Sequence, residues 1–297
     1  MRRHAMFASI LPSAVGLLCP LLVLPFIAAC TTVPLTQAGS LSSYERLQPD
    51  DGLATNARIN VDKEAILAAK TVQIIPTAFS SATANKLSDA DRRLVANAVD
   101  RSLCIGLSDR FQIVAPPQTA DLIVHVAISD LVPTDQTAAA ASKVLSLGTS
   151  VATGTGVVET SVPIPSVRIP LGLGGIALEA EAVDLAGQQK AAMLWSRGAN
   201  SFFGNARVSA VGDAYEFASS FGDDFSELLV TGVSPFSTKL PSLPSMQRLK
   251  SQFGAAPKEA VCESFGRVGV SDMLGRSLGL PPDWTDGGGK AAGSGSE

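Results

Sequence analysis

The sequence predicts an α+β domain. It should hold a mostly antiparallel sheet of four to five strands with two amphipathic helices on one face, in the order β-α-β-β-β-β-α. A short helical appendage follows at the C-terminus. Three observations carry this. Residues 88–107 and 214–229 repeat apolar side chains at helical spacing. Five short runs of β-branched or alternating apolar residues are closed by Pro, Gly or Asp. Two apolar helix stripes are most simply buried together on one face of a sheet.

In chain order, Thr71-Val72-Gln73-Ile74-Ile75 is the first strand, stopped by Pro76. Ser88-Asp89-Ala90-Asp91 supplies an N-cap and an acidic first turn. Leu94, Val95, Ala98, Val99, Leu103 and Ile105 then line one helix face. Phe111–Val114 is the second strand and ends at Pro116-Pro117. Leu122, Val124, Val126 and Ile128 alternate along a third. Ile176, Leu178, Ala180 and Ala182 mark a fourth, and Ala191, Met193 and Trp195 a fifth. The turn Asp184-Leu185-Ala186-Gly187 joins these two as a hairpin. After Gly212, residues Ala214, Phe217, Ala218, Phe221, Phe225, Leu228 and Leu229 share a second helix face, a Phe stripe that reads as core.

Around this domain, assigned to 57–233, the remaining segments differ in composition. Residues 30–56 are rich in Ser, Thr, Gln, Asp and Gly without periodicity, which predicts a flexible tether able to extend about 60–70 Å. Residues 234–284, broken by Pro235, Pro241, Pro244 and Pro257, predict short helical pieces at 244–253 and 257–265. Residues 285–297 are mostly Gly, Ala and Ser, the composition of a disordered tail.

The 297-residue chain is 46% hydrophobic and 17% charged, with net charge −4, and its mean hydropathy is +0.26. The charge is too low for a disordered chain, and the acidic balance argues against nucleic acid as a partner. Two His residues leave little room for multi-His metal sites. No cofactor or metal is expected.

Residues 1–29 read as an export signal. Arg2 and Arg3 precede an uncharged apolar stretch from about Met6 to Ala29, interrupted by Pro12, Pro20 and Pro25. It ends in Ile27-Ala28-Ala29-Cys30, which resembles the bacterial lipobox, with Ile27 where Leu is commoner. The resemblance implies that the Cys30 thiol receives a diacylglyceryl group and that Cys30 becomes the first mature residue. An uncleaved membrane anchor is the competing reading, since about 20 apolar residues span a bilayer. Thr31 and Thr32, in place of an Asp after the Cys, imply by resemblance to sorted lipoproteins the periplasmic face of the outer membrane rather than the inner membrane. The membrane is then a partner through the N-terminal acyl chains, whose burial is worth about 0.8 kcal/mol per methylene.

Removing 1–29 leaves one His, His125, and three Cys. With Cys30 acylated, Cys104 and Cys262 remain in an oxidising compartment. They form one bridge or stay as two buried thiols. The bridge would close a long loop, worth about 5 kcal/mol in the chain-entropy model.

The chain resembles a family of bacterial lipoproteins known as domain of unknown function 3313. The residues are Cys30, then Gly39-Ser40-Leu41-Ser42-Ser43-Tyr44 with Leu47 and Pro49, the strand–helix–strand block 71–132, and Leu178-Glu179-Ala180-Glu181 with Asp184, Gly187 and Ala191-Ala192. The resemblance covers 30–232 and implies an exported lipoprotein. It supplies no catalytic residues.

Several residues carry chemistry on paper. Gly275-Arg276-Ser277-Leu278-Gly279 fits a G-x-S-x-G elbow, but Pro281-Pro282 follows and His125 precedes it, so a turn is the better reading. His125 is out of register with Leu122, Val124 and Val126 and faces away from them. Glu179 and Glu181 share a strand face; the wet face of an antiparallel sheet explains them more simply than acid–base work. The Gly-rich stretches at 154–156 and 172–175 lack the rest of a nucleotide loop.

Residues 137–176 form an apolar arm of Ala, Val, Gly and Thr, with Pro163, Pro165 and Pro170 between alternating apolar residues. It would fold over the sheet, contact a protein partner or another copy, or enter a membrane. The chain thus reads as a non-enzymatic lipoprotein that binds or scaffolds in envelope assembly or transport. The alternative is an oligomeric subunit of an envelope channel or secretion complex that uses the arm.

Overall fold

The computed structural model describes residues 32–152, 171–200, 206–237 and 245–286. The export signal, Cys30, most of the alternating part of the arm and the tail from 287 lie outside them.

The α+β class holds, with a larger and more mixed sheet than the sequence predicts. Its strands are β1 (Gln48–Pro49), β2 (Asn56–Val61), β3 (Thr71–Ile74), β4 (Ala78–Phe79), β5 (Gln112–Ile113), β6 (Leu122–Val132), β7 (Gly175–Asp184) and β8 (Gln189–Gly198). The order is β1-β2-β8-β7-β6-β3-β5, with β4 also on β6. The pairs from β1 to β6 are antiparallel. Those of β3 with β5 and β6, and of β4 with β6, are parallel. α1 (Lys63–Ala68) joins β2 to β3, and the parallel pairs follow from the chain order: β3 passes through α2 (Ser81–Ala84) and α3 (Asp89–Leu107) before β5, and such a crossover returns parallel.

α3 and α5 (Gly212–Thr231) pack side by side over one sheet face. Ser88 Oγ accepts from Asp91 N at 3.1 Å, capping α3 as its sequence predicts. The Phe stripe is core. Phe221 and Phe225 are fully buried, and Phe221 meets Trp195 edge-on at 5.7 Å between ring centres. The hairpin at 184–187 forms. Asp184 Oδ1 accepts from Ala186 N and Gln188 N, each at 2.9 Å, and Gly187 takes the left-handed φ of +73° that the turn requires.

Three segments differ from expectation. The region read as a tether is folded from Val33 onward. Val33 is 1% exposed, and Leu41 and Leu47 pack with Ala192 and Leu194 on the sheet face opposite the helices. The first part of the arm lies in a helix, α4 (Gln136–Ala152), and 171–174 lead into β7. The appendage holds α6 (Met246–Gln252), a 3-10 turn (Ala260–Phe265), α7 (Val270–Leu278) and α8 (Pro282–Thr285). It lies over the helix pair as a third layer.

A disulfide and several buried ion pairs fix that layer to the domain. Cys104 in α3 and Cys262 in the 3-10 turn are joined by a disulfide, with Cα atoms 5.7 Å apart. Arg101 of α3 pairs with Asp286 at 2.7 Å, and Tyr215 Oη donates to the same carboxylate. Arg207 pairs with Asp272 of α7 at 2.8 Å and donates through Nε to Leu280 O. Asp286, which the sequence placed in a disordered tail, is 6% exposed.

Candidate functional site

Two constellations concentrate polar chemistry. The first is on the sheet face away from the helices. β7 alternates, so Glu179 and Glu181 point to that face. In register beside them are Ala127 and Leu194, and His125 and Ala192. The face is not wet: Glu179 is 0% exposed and Glu181 6%. Buried carboxylates need donors, and the Ala38–Tyr44 segment with Gln189 provides them. Glu179 accepts from Ala38 N at 2.6 Å, Ser40 N at 3.1 Å, Tyr44 Oη at 2.8 Å and Ser40 Oγ. Glu181 accepts from Ser42 N at 2.8 Å, Ser42 Oγ at 2.7 Å and Gln189 Nε2 at 2.9 Å. Burial and the neighbouring Glu179 raise the Tyr44 hydroxyl above its ordinary pKa. Among the described residues the pair accepts from this strap and from Gln189, so the carboxylates clamp the strap to the sheet. His125 is half-buried on the same face.

The second is a cleft of about 430 Å³ between α3, α5 and the C-terminal layer. That size suits a small ligand. Most of its arginines are paired. Arg248 lies 3.4 Å from Asp223, Arg276 bridges Glu216 at 3.2 Å and Asp272 at 3.3 Å, and Arg267 pairs with Glu263. The Arg197 guanidinium lies over the Phe217 ring, 5.3 Å from the centre. Burial lowers its pKa, partly offset by Asp224. Burial also raises Asp224 to about 6, although Trp195 Nε1 donates to it at 2.8 Å. The cleft therefore offers a cation and an aromatic face beside Met273.

Ser277 is far from any elbow geometry. It lies inside α7, and its hydroxyl donates back to Leu274 O at 2.8 Å. Gly279 ends the helix as a left-handed C-cap. Among the described residues no group of His, Cys, Asp and Glu is arranged to hold a metal. No helix among them is long and apolar enough to cross a membrane. The Ser40–Tyr44 clamp escaped the sequence reading because backbone N–H groups do half its work. Its visible signs are the spaced glutamates of β7 and the Gly39–Tyr44 run, which the family resemblance joins without assigning them contact.

These features define the class: an α+β domain with a mixed sheet, helices on one face and a strap clamped by two glutamates on the other. The chain belongs to the protein family of unknown function DUF3313, whose model matches residues 36–225. The match takes in the strap and ends within α5, so the disulfide-fixed C-terminal layer lies beyond it. No curated protein matches the chain. Among solved structures it is similar to the PelC dodecamer from Paraburkholderia phytofirmans, at 11% identity and TM-score 0.36, covering 60% of this chain and 98% of that one. It is also similar to a DUF4136 family protein from Bacteroides thetaiotaomicron, at 11% identity and TM-score 0.29, covering 64% of this chain and all of that one.

Proposed function

We propose that this protein is a lipoprotein anchored through Cys30 to the periplasmic face of the outer membrane, where it serves as a non-enzymatic binding or scaffolding module in envelope assembly or transport. The observation that carries this is the position of Val33. Its side chain is buried three residues after the lipobox cysteine. Three residues span at most about 11 Å, so the acyl chains would hold the folded body at the bilayer rather than on a long leash. The cleft beside Arg197 and Phe217 is the candidate binding site.

The second reading, an oligomeric subunit of an envelope channel or secretion complex, is favoured by the arm. Val144 is 72% exposed and Leu171 68% exposed at its described ends.

The test is purification from membranes with crosslinking, together with the mass of the mature N-terminus. The proposal expects an acylated Cys30 as first residue and co-purifying envelope proteins. A ring of this chain alone would favour the second reading. An unmodified Met1 would refute the lipid anchor, and a monomer with no partner under crosslinking would count against both readings.

A further inference from the structure

We infer that one end of the sheet is a membrane-contact surface, with the bilayer interface as its occupant. The inference rests on the lipid-anchor reading and adds which face turns to the lipid. Val33 packs on Gly175, at the start of β7, so closely that no Cβ would fit there. Cys30 is only three residues before Val33, a reach of at most about 11 Å, so an acyl anchor there would hold this end near the lipid.

The same end gathers exposed apolar residues. Gly172 O accepts from Asp135 N at 2.8 Å, which seats the start of α4 beside Leu171. Farther along α4, the stem of Lys143 packs against Gly279, the C-cap of α7. Val144 of α4, Leu171, and Leu274 and Leu278 of α7 are 72%, 68%, 54% and 49% exposed. Leu274 and Leu278 are four residues apart and so share a helix face, on the far side of α7 from the buried Asp272. α7 thus turns its polar side inward, to Arg207, and its apolar stripe outward. Such a helix is poorly suited to water and well suited to the headgroup–acyl boundary. Lys143 flanks the patch and complements anionic headgroups.

The opposite end supplies an internal control. Leu185 in the β7–β8 turn is 64% exposed. The ten residues of β7 place it about 30 Å from Gly175.

The experiment uses the full-length, membrane-purified protein in vesicles of phosphatidylethanolamine and phosphatidylglycerol. Leu171→Cys, Leu278→Cys and Leu185→Cys are labelled singly with bimane, and quenching by brominated lipid is read. The inference expects strong quenching at 171 and 278 and none at 185. The mass of the N-terminus is taken on the same preparation. With Cys30 acylated, equal quenching at 171 and 185, or none at 171, would overturn the inference alone. Disulfide crosslinking between copies through unlabelled Leu171→Cys would also overturn it, by showing that a second copy covers the patch. An unacylated Cys30 would remove the lipid-anchor reading and this inference together.

Discussion

Replacing Glu179 with Ala should release the N-terminal strap. The carboxylate holds four donors: Ala38 N, Ser40 N, Ser40 Oγ and Tyr44 Oη. Each hydrogen bond to a charged acceptor is worth about 1.5–3 kcal/mol, and each donor left buried without one costs about 1–3 kcal/mol. Leaving all four in place would cost more than letting the strap go. Undocking rehydrates the donors but gives up burial of Leu41 and Leu47, each worth about 1.5–3 kcal/mol. The cheaper route sets the cost, so the loss should be about 3–5 kcal/mol. Glu181 still holds Ser42 and limits the spread. Glu179→Gln keeps one acceptor oxygen and turns a donor toward donors, and should lose about half as much. Urea denaturation measures the loss, and hydrogen exchange at residues 38 and 40 locates it. Unchanged protection there, with a stability change under about 0.5 kcal/mol, would refute the clamp.

Three further outcomes follow from other parts of the structure. Replacing both Cys104 and Cys262 with Ser should destabilise the chain by about 2–5 kcal/mol and expose 245–286 to protease first, as equilibrium unfolding and timed proteolysis would show. Asp272→Ala leaves the buried Arg207 with only Glu216, itself shared with Arg276, as a carboxylate partner among the described residues, and should cost about 3–5 kcal/mol by the same denaturation assay. Asp100 and Asp224 are both raised to about 6, chiefly by burial. A carboxyl raised on folding contributes stability at low pH that is lost as pH rises through its folded value. Stability should therefore increase from pH 7 to about pH 5, by on the order of 1–3 kcal/mol per group. It should fall again in stronger acid, where Asp121 and Asp184, both held below the usual range by backbone N–H donors, become protonated. Asp224→Asn should flatten the upper limb of a melting-temperature profile against pH.

Periodicity made the domain's centre legible. α3 and α5 have apolar stripes because one side of each is buried, and β6 and β7 alternate because the sheet's two faces differ. What periodicity cannot register is a surface buried by a segment with no period of its own. Residues 33–47 reach the sheet through Val33, Leu41 and Leu47 at uneven spacing and through backbone donors to Glu179 and Glu181. They therefore read as a tether, and the glutamates beneath them as solvated. β2 was lost for a related reason, since Asn56–Val61 carries only Ala57 and Ile59 on its buried side before Val61. α7 was hidden differently. Its apolar stripe faces outward, and Gly275 and Gly279, which sequence reads as breakers, serve as a contact with Thr285 and as the helix cap. In the candidate cleft, Arg197 and Phe217 come from a strand end and a helix, and only the fold brings them together.

The most direct test of the account is neutron reflectometry of the acylated protein on a supported bilayer, which reads the distance between headgroups and protein. Burial of Val33 three residues after Cys30 predicts protein density beginning within about 15 Å of the headgroups, with no water-filled layer between. A solvent gap of several tens of ångströms would show that 31–56 is an extended leash and would contradict it.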